Sequence, residues 1–235
     1  MEATQESYIR IELIGNRGEL ILNRPEQKNS LIGPLVKQLL SGLNELVAND
    51  KCHVILIRGA GGCFCAGLDV KAFFSENKPD WVADFPADWL AFHAAVYSCP
   101  KPVVGALERF AIAGGSALAF SCDFLVVGEK SFIHVAEVEL GMAAPINVAW
   151  LSLKYGTAKA MELAVLGERH YGQELMRLGV VTRCVDDAET LTEARKLADR
   201  LAGFDSTTVQ ALKGAIHKAE HKESFETLVA RIKKA

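Results

Sequence analysis

From Tyr8 to Ile14 apolar and polar residues alternate. Ile9, Ile11 and Leu13 fall on one face and Arg10 and Glu12 on the other, the period of a strand. Gly15-Asn16-Arg17-Gly18 predicts a turn, and Glu19–Leu22 the returning strand of a hairpin. The period then lengthens: between Pro34 and Ala48, residues Leu35, Leu39, Leu43, Leu46 and Val47 share one helical face. An apolar run at Val54–Ile57 predicts a strand, followed by a helix carrying Phe73 and Phe74. Asp88–Tyr97 predicts another helix, and Val103–Leu107 and Asp123–Val127 two more strands. Repeated strand–strand–helix units predict a right-handed spiral, because parallel crossovers are right-handed. From about Ala144 the pattern turns helical. Asn147–Tyr155, Ala158–Leu166 and Gln173–Leu178 read as helices, and Val180–Val185 as a strand. Helices at Ala188–Ala202, Thr207–Ala219 and Ser224–Lys233 close the chain.

Two stretches of small residues stand out from this pattern. One is Phe64-Cys65-Ala66-Gly67-Leu68-Asp69-Val70; the other runs from Ala111 through Ala113-Gly114-Gly115 to Cys122-Asp123. Each follows a strand and leads into a helix. Small residues let a ligand approach the backbone closely. The first-turn amides of a helix lack partners inside it and can bind developing negative charge. Two such donors converging on one oxygen form an oxyanion hole. By local chemistry alone, both stretches are also ordinary tight turns.

At these residues the chain resembles the crotonase (enoyl-CoA hydratase/isomerase) superfamily. The resemblance runs from about Tyr8 to Val185. It rests on Leu22-Asn23-Arg24-Pro25 with Asn29-Ser30-Leu31, the two small-residue stretches, and Glu137-Val138-Glu139-Leu140-Gly141, in the family's order and spacing. It implies an α/β fold: a crotonase-like ββα right-handed spiral core over residues 1–185, and a C-terminal helical trimerisation region over residues 186–235. It further implies an acyl-CoA thioester as substrate, with coenzyme A as part of that substrate and no other cofactor, and a homotrimer or dimer of trimers. By motif position the oxyanion donors are implied to be the backbone amides of Ala66 and Gly114, with Gly115 allowing close packing of the helix start. Backbone around Leu68 and Val70 is implied to meet the adenine, and positive charge at Arg24 or Lys71 the phosphates. Lone Arg and Lys side chains are equally ordinary surface groups. Asp69 reads as the cap of the helix that follows it. The helical tail is shorter than is usual for the family, so a segment closing the acyl pocket is either missing or supplied by a neighbour.

Hydratases of the family carry two glutamates, at the positions held here by Ala117 and Glu137. This chain keeps only the second, and no acid within a turn of Ala117 replaces the first. Hydration calls on paired acids, whereas moving a double bond from the 3,4 to the 2,3 position needs one base and an oxyanion hole. Burial raises a glutamate towards neutrality, which suits it to accept and return a proton. The surroundings of Glu137 resemble mitochondrial-type Δ3,Δ2-enoyl-CoA isomerases, with Ala136 a departure. Glu139 shares the face of Glu137 if the stretch is a strand and not if it is helical. A hydratase, a decarboxylase of malonyl-type CoA esters and a non-catalytic acyl-CoA-binding homologue are the competing readings. His134 reads as structural. The aromatics Phe73, Phe74, Trp81, Phe85, Trp89 and Phe92 either line an acyl pocket or pack in the core.

Composition changes this picture little. The net charge of −3 leaves no basic surface for nucleic acid. No apolar run approaches the roughly 20 residues of a membrane span. The polar Met1–Glu6 start and the Ile232-Lys233-Lys234-Ala235 tail fit neither a secretory nor a peroxisomal address, so a cytoplasmic location is expected. The six cysteines form no CxxC pair, which predicts buried free thiols in a reducing compartment and no metal site.

Overall fold

The computed structural model describes residues 7–220 and 223–234; the expectations placed on Met1–Glu6 and Ala235 lie outside the described residues. Strands β1 (Ile9–Ile14) and β2 (Arg17–Leu22) form the hairpin, with Ile9 opposite Leu22 and Ile14 opposite Arg17. Its turn is shorter than predicted, because Arg17 and Gly18 already pair as strand residues. Helix α1 (Gly33–Ala48) buries Leu35, Leu39, Leu43 and Leu46. Then follow β3 (Val54–Gly59), α2 (Val70–Phe73), α3 (Trp81–Tyr97), β4 (Val103–Leu107), β5 (Phe110–Ile112) and α4 (Gly114–Ser121). Next come β6 (Phe124–Gly128), β7 (Phe132–His134), α5 (Pro145–Val165), β8 (His170–Tyr171), α6 (Gly172–Arg177) and β9 (Arg183–Val185). Helices α7 (Thr190–Ala202), α8 (Ser206–Glu220) and α9 (Phe225–Lys233) complete the order.

The strands make two sheets. The larger has the order β1-β2-β3-β4-β6-β9, parallel except for the β1–β2 pair. The smaller has the order β5-β7-β8. Strands β4 and β6 of the large sheet each turn directly into a strand of the small one, β5 and β7, which is the ββα repeat of the spiral. Helix α3 begins at Trp81 rather than Asp88 and runs through Pro86. Helix α5 joins two predicted helices across a kink at Gly156, whose φ of 75° and ψ of 171° leave the helical region.

The inner strands β3, β4 and β6 of the large sheet bury both faces, which is why they read as continuous apolar runs. Ile55 and Ile57 face the main core with α1, α3, α4 and α5, whereas Val54, Leu56, Val104, Ala106 and Val126 face Ala194, Leu197 and Ala198 of α7. A buried charge cluster fixes α7 there. Glu19 on β2 accepts from Arg17 (3.1 Å), Arg58 (2.7 Å) and Arg195 of α7 (2.8 and 3.0 Å). Burial alone would raise the Glu19 carboxyl, but the hydrogen bonds and charges of Arg195 and Arg58 outweigh it and bring it down to about 2. Phe225, Leu228 and Val229 of α9 join the main core. Strand β9 ends at Val185, and α9 beyond it shares the core of the spiral. Among the described residues no helix is long and apolar enough to cross a membrane. All six cysteines are free thiols, and five are buried.

Candidate active site

Two parallel bridges, Leu31 to Leu68 and Cys65 to Ala111, hold the first small-residue loop between the chain before it and the second loop. Cys65 donates to Phe110 O (3.2 Å) and accepts from Ile112 N (3.1 Å). Leu31 donates to Gly67 O (2.7 Å) and accepts from Asp69 N (3.0 Å). In such a bridge one residue uses both of its groups and its partner's point away. The N–H of Leu68 is therefore turned from Leu31, and it has no partner among the described residues. Ala66 N–H instead donates to Lys28 O at 3.0 Å. This corrects the expectation that Ala66 supplies an oxyanion donor, because its amide is consumed inside the protein.

The second loop turns into α4 at Ala113, whose φ of 50° and ψ of −116° are rarely adopted by a residue with a side chain. Hydrogen bonds hold that backbone. Ala113 N donates to His134 O (2.8 Å), and the Ser116 hydroxyl reaches Ala111 O (3.1 Å) and His134 O (2.8 Å). Ser116 and Ala117 N–H reach back to Ala113 O, leaving the Gly114 amide at the open end of the helix. A Cβ on Gly114 would lie 4.0 Å from Leu68 N, so these two amides are neighbours. Two glycines allow the approach. Gly67 sits at φ 82°, where a side chain would also run into Ile112 O, and a Cβ on Gly115 would come within 2.5 Å of Cys65 O.

Glu137 lies in a 3-10 turn over Ala136–Leu140. Successive side chains there are about 120° apart, so Glu137 and Glu139 diverge. Glu137 is half-buried, while Glu139 is exposed and stands 3.6 Å from His134 Nε2. His134 itself is buried and bonded to Gly167 O (3.1 Å). Burial pushes the Glu137 carboxyl above its ordinary value; a hydrogen bond from its own backbone and one from Asn147 pull the other way. Asn147 Nδ2 donates to Glu137 Oε1 at 3.0 Å and to Ala113 O at 3.2 Å. The base candidate and the α4 terminus are thereby joined through one side chain. The sequence reading missed Asn147. Its signal was faint: a lone polar residue in the apolar run Pro145-Ile146-Asn147-Val148-Ala149-Trp150.

Ala117 is fully buried, and α4 carries no ionisable side chain. Asp88 on α3 faces Lys37 at 3.5 Å. Arg24 is engaged within the protein, donating to Ser30 O (2.7 Å), to the Ser30 hydroxyl (3.0 Å) and to Asp69 (3.4 Å). Asp69 also accepts from Ala72 N (3.3 Å) and so caps α2. Lys71 and Val70 are exposed on α2, and Leu68 is half-buried. The aromatics form one ladder, Phe73–Trp81–Phe85–Trp89–Phe92, with neighbouring centroids 5.7–6.3 Å apart. Its Trp89 comes within 3.8 Å of the position a Gly114 Cβ would take, so the packed row passes beside the candidate oxyanion amides. Phe74 meets Phe73 edge-on at 5.2 Å but is itself 60% exposed.

Residues 18–234 match the family model for enoyl-CoA hydratase/isomerase. A probable mitochondrial enoyl-CoA hydratase of Dictyostelium discoideum is 30% identical over 204 residues, which are 86% of this chain and 73% of that protein. A carnitinyl-CoA dehydratase of Proteus mirabilis is 31% identical over 210 residues, 88% of this chain and 79% of that one. The crystal structure of an enoyl-CoA hydratase from Bacillus anthracis superposes with a TM-score of 0.86 at 26% identity, covering 97% of this chain and 89% of its own. The chain belongs to the enoyl-CoA hydratase/isomerase family, the crotonase superfamily of acyl-CoA enzymes, and has the crotonase fold.

Proposed function

We propose that this protein shifts the double bond of a 3-enoyl-CoA to the 2,3 position, with Glu137 as the single acid/base. The observation that carries the reading is the lone carboxylate. Glu137 stands one side chain away from the α4 terminus, and the position where a second acid would act is the buried Ala117. The thioester oxygen lies between the amides of Leu68 and Gly114. Glu137 takes the proton from carbon 2, and the electron pair moves into the enolate, whose negative charge sits on the held oxygen. One such donor is worth roughly 3 kcal/mol to a developing oxyanion. The protonated Glu137 then delivers its proton to carbon 4, the carbonyl re-forms, and the double bond remains between carbons 2 and 3. Atoms balance with no water and no cofactor; coenzyme A enters only as the substrate's own carrier. Backbone around Leu68 and Val70 meets the adenine, and exposed Lys71 is better suited than the engaged Arg24 to reach a phosphate. The setting is fatty acid degradation in the cytoplasm, in a homotrimer or a dimer of trimers.

Hydration of a 2-enoyl-CoA is the second reading, favoured by the names of the relatives. It asks one carboxylate both to activate water and to protonate carbon 2, work that paired acids share. Separate incubations with 3-enoyl-CoA and 2-enoyl-CoA decide between the two. The isomerase reading expects a conjugated thioester from the first and no water adduct from the second. Efficient hydration of the second with no isomerisation of the first would overturn it.

A further inference from the structure

We infer that Asn147 is a positioning residue: it ties the Glu137 carboxylate to the backbone at the start of α4, so that base and oxyanion amide keep one separation and only Oε2 of Glu137 is left to carry the proton. The inference rests on the proposed role of Glu137 as proton carrier. Asn147 is 2% exposed and sits in the first turn of α5, directly after Pro145 and Ile146. Its Nδ2 bridges two acceptors, Ala113 O at 3.2 Å and Glu137 Oε1 at 3.0 Å. Both partners accept, so the amide's orientation is fixed by them. Its Oδ1 is buried with no hydrogen bond among the described residues, and so is Oε2 of Glu137. The amide therefore acts through its two N–H donors. Ala113 is the strained residue immediately before the Gly114 amide, so the bridge spans from the base to the backbone that aims that amide.

Among the described residues little else charged faces Glu137. Helix α4 has no ionisable group, and on α5 the first is Lys154, which is directed at Phe120 O and Cys122 O. On α3, buried His93 accepts from Trp150 Nε1 at 2.9 Å and Asp88 faces Lys37. His134 of β7 and exposed Glu139 face each other. Asn147 is thus the side-chain hydrogen bond that favours the charged form of Glu137.

Two variants test this. Asn147→Ala removes both donors; Asn147→Asp keeps the volume but sets an acceptor against the carboxylate. In each, kcat is expected to fall about 10-fold to 100-fold, the range a small misplacement of a reacting group produces, with KM changed far less. The acid limb of the pH–rate profile moves to higher pH in both, because the charged form of Glu137 has lost its donor. A readout independent of turnover is the infrared carboxyl band of Glu137, titrated in wild type and both variants with Glu137→Gln as blank. Its midpoint rises in both variants if Asn147 positions the base. An unchanged midpoint and an unchanged pH profile, with only a lower melting temperature, would overturn the inference. Absence of 3-enoyl-CoA turnover in wild type would instead sink the isomerase reading, and the infrared titration would still judge Asn147.

Discussion

Glu137 keeps one oxygen bonded to Asn147 and the other free within a half-buried site, and burial holds its carboxyl above the usual range. A base must be ionised to act. Turnover per free enzyme should therefore decline as pH falls through a value above the ordinary glutamate pKa of about 4.3, read from kcat/KM against pH. A limb at or below that value would place the working base elsewhere. Gly115 makes a separate claim, because a Cβ there would come within 2.5 Å of Cys65 O. Gly115→Ala should cost about 1–3 kcal/mol through overpacking, measured by denaturant unfolding. At this scale the sequence was legible where a residue's identity speaks for itself, as with Glu137, Ala117 and the glycine pair. It misled over Ala66, because which amide of this loop is free depends on Lys28, which takes up the Ala66 N–H, and on Leu31, whose bridge leaves the Leu68 N–H turned away, both far away in the chain. It was silent on Asn147, whose role exists only once α5 packs against α4.

The elements repeat that lesson over longer spans. Strands β3, β4 and β6 of the large sheet were legible because both faces are buried and the apolar runs are continuous, and β1 because its apolar and polar residues alternate. The small sheet was not, since β5 and β7 have three residues each and β8 two, too few to display a period. The 3-10 turn at Ala136–Leu140 sends Glu137 and Glu139 to different faces, a point that alternation alone had left open. The attachment of α7 was also invisible, because Glu19 looks like an ordinary outward strand residue until Arg58 and Arg195 arrive. Glu19→Gln should destabilise the fold by about 3–5 kcal/mol, the cost of breaking a buried ion cluster from one side, read by urea unfolding. The carboxyl falls from 4.5 to about 2 on folding. Its contribution is complete above pH 4.5 and disappears as pH drops through the folded value. Stability in Glu19→Gln should accordingly show a weaker acid dependence than wild type over that window.

Over the whole molecule, an apolar surface remains beside the candidate site. Val138 and Leu140 follow Glu137, and a Cβ on Gly167 would lie 3.2 Å from Val138, which brings the end of α5 with exposed Val165 and Leu166 alongside. Exposed apolar patches of this kind are commonly interfaces. The proposed trimer accounts for it and predicts a solution mass of three or six times 25.5 kDa by light scattering; a monomer at working concentration would contradict it. The role of Glu137 is tested most directly by turnover of a 3-enoyl-CoA by purified protein, followed as the conjugated thioester, with Glu137→Gln beside wild type. The account predicts conversion by wild type and a loss of about 100-fold or more in the variant, the scale of a removed general base. Equal turnover by both proteins would contradict it.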